Sequence, residues 1–156
     1  MYQIVGFHFK VVFEDIGGKN EDIEFQSVTG LDVQIEKETY KEGGENRFEH
    51  SLPGRRKYSP LVLKRGIVKP NESALTEWCG KAFYNLYNNK ANEQNIVPLS
   101  TVNIQLLNEN HEVLMKWVLS HVWPISWKVS ELNAEKSEVL IETFELNYNR
   151  FKLEVS

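Results

Sequence analysis

Four histidines stand at positions 8, 50, 111 and 121. Imidazole is the commonest metal ligand and the side chain that titrates nearest neutrality, so spacing decides what four of them can do. No two are set at the HxH or HExxH spacing that brings ligands to one face of a strand or a helix. A metal centre is not expected. Cys79 is the single cysteine, which rules out an intramolecular disulfide and leaves a thiolate zinc site without ligands. It falls on an apolar helical stripe, where a buried thiol is inert. Glu36 and Glu38 alternate onto one strand face, an arrangement open to paired glycosidase carboxylates. A solvated acidic face explains them more simply. Gly43-Gly44 lacks the strand, Gly-rich turn and helix that cradle phosphate, and no nucleophile elbow is present. Neither an enzymatic activity nor a cofactor is expected.

The remaining chemistry is cationic. SLPGRRKYSPLVLKRG, residues 51–66, holds Arg55, Arg56, Lys57, Lys64 and Arg65. Phosphate recognition needs one sign to dominate, yet the chain has a formal net charge of -4. Glu42, Glu45 and Glu49 sit in the same loop as Arg55, Arg56 and Lys57, and the adjacent Lys64 and Arg65 must face opposite sides of a strand. A mixed-sign segment suits protein docking better than phosphate tracking. Two other readings stay open: a nucleic-acid-binding β-barrel using the 55–65 cluster with Tyr58, and a carbohydrate-active β-sandwich using Glu36 and Glu38.

The elements that must position these residues are mostly strands. Phe7, Phe9, Val11 and Phe13 alternate with His8, Lys10 and Glu14, the pattern of a half-buried strand. Gly17-Gly18 and Asn20 mark a turn over 15–22. A strand from Ile23 to Val28 follows, then one from Leu31 to Tyr40. In the latter Leu31, Val33 and Ile35 face one way, and Asp32, Gln34, Glu36 and Glu38 the other. Residues 41–57 read as a long extended loop, beyond the ~12–15 residues of a passive connection. Strand pattern resumes from Tyr58 to Val68, with Leu61, Leu63 and Ile67 on one face. Pro70-Asn71 predicts a helix start, and Leu75, Trp78, Cys79, Ala82, Phe83 and Leu86 form a helical stripe over about 72–87. Strands over 101–107, 113–122 and 138–149 complete the chain, with a hairpin loop at 108–112 and Trp123-Pro124 breaking the second.

This pattern predicts one mainly β domain over 1–156, a two-sheet sandwich or barrel-like fold carrying one packed helix. The chain's 156 residues are 41% hydrophobic and 26% charged, enough for a real core. No apolar run approaches the ~20 residues of a membrane helix, so stable membrane insertion is not expected. The opening MYQIVGFHFKVVFEDI lacks a basic start and a small-residue cleavage site, so synthesis in a cytoplasm without a secretion signal is expected.

Taken in order, several strings carry a resemblance: VTGL at 28–31, EGG at 42–44, LPGRRKY at 52–58, LKRG at 63–66, WP at 123–124 and IETFEL at 141–146. Across nearly its whole length the chain resembles the tail-tube protein family of contractile phages and phage-tail-like contractile injection systems, similar in fold to the type VI secretion tube protein. The resemblance implies a β-sandwich-like subunit that forms hexameric rings. These stack into a hollow tube inside a contractile sheath and conduct DNA or protein cargo through a target envelope. Implied partners are further copies of the chain, the sheath protein, and baseplate, tube-initiating or tube-terminating proteins. The implied location is a virion tail or a released particle, after synthesis in a bacterial cytoplasm. The segment 41–57 resembles the family's long hairpin, which reaches a neighbouring ring. Its implied ring and subunit contacts are Glu42, Gly43, Gly44, Arg47, Leu52, Pro53, Gly54, Arg55, Arg56 and Lys57, with Lys64 and Arg65 beyond it. Asp32, Glu36 and Glu38 offer an acidic face for the lumen or the sheath.

Overall fold

The structure, a computed structural model, describes residues 6–14, 16, 22–23, 25–41, 49–67, 73–84, 98–135 and 139–155. The alternation at the start forms β1 (His8–Phe13), which buries Val11 and Phe13 completely. Each such side chain contributes roughly 1.5–3 kcal/mol, which fixes the face of β1 that meets the core. Phe7, grouped with that face by the sequence, precedes the strand and is 56% exposed. The expected strand from Ile23 to Val28 is divided between two sheets. β2 (Asp22–Ile23) pairs with β1, whereas β3 (Ser27–Thr29) pairs with β6 (Leu61–Gly66).

Two long strands join the sheets. β8 (Val113–Val129) runs for 17 residues. β9 (Ile141–Asn147) and β10 (Arg150–Val155) follow one another antiparallel along it, from Glu142 opposite Val129 to Val155 opposite Met115. Between them the Asn149 N–H donates to the Ser120 carbonyl at 3.0 Å. They are two halves of one kinked strand, which extends past the end at 149 expected from sequence. Trp123-Pro124 does not end β8 either. β8 pairs with β7 (Leu99–Leu107) as far as Val122 and with β9 from Trp123 onward. The Trp-Pro step marks the passage from one sheet to the other. His121 bends the strand there with φ 56°, and the β9 register shifts between Pro124 and Ser126. Such a bulge accommodates a residue that has no N–H to give the ladder.

The first sheet has the order β2-β1-β7-β8-β10 and the second β8-β9-β6-β3. Between them lie Val11, Phe13, Val102, Ile104 and Leu119 from the first, and Leu61, Leu63, Phe144 and Leu146 from the second. The helix α1 (Ala74–Tyr84) adds Leu75, Trp78 and Cys79 to this core. It begins later than Pro70-Asn71 suggests. Ser73 is the cap, its Oγ accepting from the Thr76 N–H at 3.2 Å and its carbonyl from Glu77 N–H at 3.1 Å. Phe83 ends the stripe 39% exposed, and Leu86 lies outside the described residues.

The last two strands stand apart. β4 (Val33–Lys41) and β5 (Glu49–Tyr58) form a separate two-stranded ribbon. Residues 49–57 are therefore strand, not extended loop, while 42–48 lie outside the described residues. The strand expected from Leu31 to Tyr40 is found as β4, whereas exposed residues 52, 53 and 55–57 of β5 carry no hydrophobic alternation, so its signal in the sequence is weak.

Candidate assembly surface

The cationic cluster is divided by burial. On β6, Leu61, Leu63 and Arg65 point inward and Lys64 outward. Arg65 is 4% exposed, and its Nε donates to Glu142 Oε1 at 2.5 Å. Its Nη2 donates to Ser73 Oγ at 2.8 Å and Thr76 Oγ1 at 2.9 Å. The guanidinium carbon lies 5.2 Å from the Phe144 ring centre and 5.6 Å from that of Phe25. Glu142, wholly buried, also accepts from Trp127 Nε1 at 3.3 Å. Removing either charge would leave the other desolvated without a counter-charge, which costs several kcal/mol. Arg65 is thus withdrawn from the contacts that the sequence grouped it with. It fastens the start of α1 to the second sheet.

The other cations lie on or beside the ribbon. β3 continues into β4 through Gly30–Asp32, and β5 into β6 through Ser59-Pro60. Gly30 has φ 93°, and a Cβ there would stand 2.0 Å from the Pro60 carbonyl oxygen. Only glycine fits. Ser59 Oγ donates to Asp32 Oδ1, and the Tyr148 hydroxyl donates to the Ser59 carbonyl at 2.7 Å. Tyr58 meets Tyr148 and Phe151 edge-on, with ring centres 5.8 and 5.0 Å apart. Burial first, then the charges of Asp32 and Tyr58, push the Tyr148 hydroxyl up to about 12, so it stays a donor at ordinary pH. These contacts clamp the root of the ribbon. Asp32 is an acceptor in that clamp, apart from the acidic row it was grouped with.

Beyond the clamp, Gln34 pairs with Lys57, Ile35 with Arg56, Lys37 with Pro53 and Glu38 with Leu52. Gly54 and Arg55 together stand opposite Glu36, a bulge of two residues against one. A Cβ at Gly54 would meet the Glu36 carbonyl at 2.7 Å, so glycine permits this close approach of strands. Glu36, Glu38, Leu52, Pro53, Arg55, Arg56 and Lys57 are all exposed. So are the apolar Val33 and Ile35, at 45% and 60%. Glu42, Gly43, Gly44 and Arg47 lie outside the described residues. Lys64 is exposed on the outer face of the second sheet, beside Thr143 of β9.

A second unpartnered apolar region lies on β10. Leu153 and Val155, opposite Trp117 and Met115, are 49% and 72% exposed. Among the described residues no strand pairs with the other edge of β10. The sequence reading missed this edge because it ended the strand at 149, and missed Tyr148 and Ser59 because their contacts join distant segments. Gly30 was legible within VTGL.

Groups with catalytic potential are placed elsewhere. The Cys79 thiol is pushed up to about 12 by burial and then by the Glu142 charge, with Arg65 opposing, so little thiolate forms near neutrality. His8 Nε2 and His111 Nδ1 are 2.8 Å apart, a contact between positions distant in sequence. Among the described residues no three His, Cys, Asp or Glu side chains gather to hold a metal. Glu36 and Glu38 both stand exposed on the ribbon.

The model of the family described as T4-like virus tail tube protein gp19 matches residues 5–152. No curated protein matches the chain. Among solved structures, a chain of the six-fold-symmetrised anti-feeding prophage baseplate is similar, with TM-score 0.75 and 28% identity over 99% of this chain and 97% of that one. A chain of the sheath–tube complex of the extracellular contractile injection system PVC, in the extended state, has TM-score 0.75 and 25% identity over 99% and 93%. Hcp1 from Salmonella typhimurium shares the fold, with TM-score 0.58 and 15% identity over 97% and 87%. With nearly its full length matched, this chain belongs to the tail tube protein family.

Proposed function

We propose that this chain is the inner-tube subunit of a contractile injection system or contractile phage tail. It assembles as stacked hexameric rings into a hollow tube, which is driven through a target envelope and conducts protein or DNA cargo. Its role is structural, without enzymatic activity. The subunit is made in a bacterial cytoplasm and works within a tail-like particle, next to sheath and baseplate proteins and to proteins that start and end the tube.

The observation that carries this reading is surface the subunit cannot satisfy alone. An isolated two-stranded ribbon is at best marginally stable in water, yet β4 and β5 expose Val33, Ile35 and Leu52. The β10 edge, with which no strand among the described residues pairs, runs beside Leu153 and Val155 as a template for a strand of another copy. On this reading the β10 edge serves contacts within a ring, and Leu52, Pro53, Gly54, Arg55, Arg56 and Lys57 serve contacts through the ribbon. Glu42, Gly43, Gly44 and Arg47, in the segment joining β4 to β5, belong with them, and Lys64 adds an exposed contact on the second sheet.

Negative-stain microscopy and sedimentation of the purified chain over a wide concentration range test the proposal. Rings or tubes are expected. A monomer at every concentration overturns it.

A further inference from the structure

Resting on the tube reading, we propose that ribbons of neighbouring copies pair side by side and head to tail, Glu36 and Glu38 of one copy meeting Arg55 and Lys57 of the next. Opposed residues of an antiparallel pair share a face, so Gln34 and Lys57 point the same way, as do Glu38 and Leu52. Alternation along β4 adds Glu36 to the face of Gln34 and Glu38. Alternation along β5 adds Arg55 to the face of Lys57. One face of the ribbon therefore carries two carboxylates along its β4 margin and two cations along its β5 margin. All four residues are exposed, and among the described residues none forms an ion pair.

This polarity selects the occupant and its orientation. A two-fold contact would set β4 against β4 or β5 against β5, bringing like charges together. A head-to-tail contact sets the acidic margin of one ribbon against the basic margin of the next. It also makes the new strand pair antiparallel, repeating the pairing inside each ribbon. The outward N–H and C=O groups of both margins then gain partners, as an exposed sheet edge requires. A head-to-tail contact passes from copy to copy, which is the kind that closes rings. A second copy of this chain therefore fits the surface.

Two charge-reversed chains test this: one carrying Glu36→Lys and Glu38→Lys, the other Arg55→Glu and Lys57→Glu. Thermal unfolding of each first establishes that the fold is intact. Each alone is expected to raise the critical concentration for assembly about tenfold or more, because like charges then face each other. An equimolar mixture is expected to recover wild-type assembly, since alternating copies restore opposite charges at every contact. The wild-type critical concentration should also rise with added salt, as exposed charges are screened. A third chain carrying all four substitutions separates contacts within a ribbon from contacts between ribbons. If that chain assembles while the mixture does not, the charges act only inside one ribbon and the proposal falls. Normal assembly of both reversed chains, or no recovery on mixing, also overturns it. Should the wild-type chain never assemble, the tube reading fails first, and this proposal with it.

Discussion

Arg56 and Arg65 lie nine positions apart, 65 − 56, and meet opposite conditions. Arg65 is enclosed by a carboxylate, two hydroxyls and two aromatic rings. Arg56 stands exposed on a ribbon opposite Ile35. Charge density along a sequence therefore does not define a patch. The strand between them decides, because each residue reverses the face and β6 has one face in the core. The inner arginine ties α1 to the second sheet, and the outer one faces solvent on the ribbon proposed for contacts between copies.

The largest effect should come from breaking the inner site. Arg65→Ala leaves Glu142 buried without its counter-charge and should cost about 3–5 kcal/mol in urea unfolding. Replacing both, Arg65→Met with Glu142→Leu, should cost clearly less than Arg65→Ala alone, since no charge is then stranded. An equal loss would mean that the hydroxyl contacts to α1 dominate. Gly30→Ala, at the root of the ribbon, forces φ 93° on a residue with a Cβ and drives that atom into the Pro60 carbonyl. A loss of about 1–3 kcal/mol is expected. Assembly should fall further than stability does, because the ribbon is redirected; intact assembly would detach the clamp from its proposed task.

Alkaline pH gives a smaller, graded effect. Burial raises Cys79 from 9.0 and Tyr148 from 10.0, each to about 12. The folded chain then holds both protons more tightly than the unfolded chain. Their contribution to stability is complete below pH 9 and declines as pH rises from about 9 to about 12. Cys79→Ala should remove its share of the decline from about pH 9 upward and leave that of Tyr148, whereas Tyr148→Phe should lessen only the part above pH 10; unfolding midpoints measured across that range would show it. The smallest effect on the subunit is expected from Arg56→Ala, within about 0.5 kcal/mol. A loss near that of Arg65→Ala would erase the contrast between the two arginines.

Much of this fold was legible because burial leaves a period. Val11 and Phe13, Leu61 and Leu63, and Leu75 with Trp78 and Cys79 all announced their elements. Half of the ribbon did too, since Val33 and Ile35 alternate with Gln34, Glu36 and Glu38 along β4; β5 did not, because LPGRRK carries no alternation, and 49–57 passed for loop. Trp123-Pro124 misled for a different reason. Proline removes one ladder bond, but a strand that changes partners at that point can absorb the loss in a bulge. VTGL and LPGRRKY drew attention to the segments that hold Gly30 and most of β5. The inward turn of Arg65 follows from its alternation with Leu61 and Leu63, but its carboxylate partner was hidden, lying 77 residues away.

The strand shared by both sheets also governs how the subunit bears a load. At ~3.3 Å per residue, its 17 residues give β8 a contour of about 56 Å. A pull along this direction shears the ladders to β7, β9 and β10, so many hydrogen bonds resist together instead of opening one by one. Force entering through β9 reaches the first sheet along covalent backbone, without crossing the apolar interface between the layers. The subunit should therefore be stiff along β8 and compliant across it.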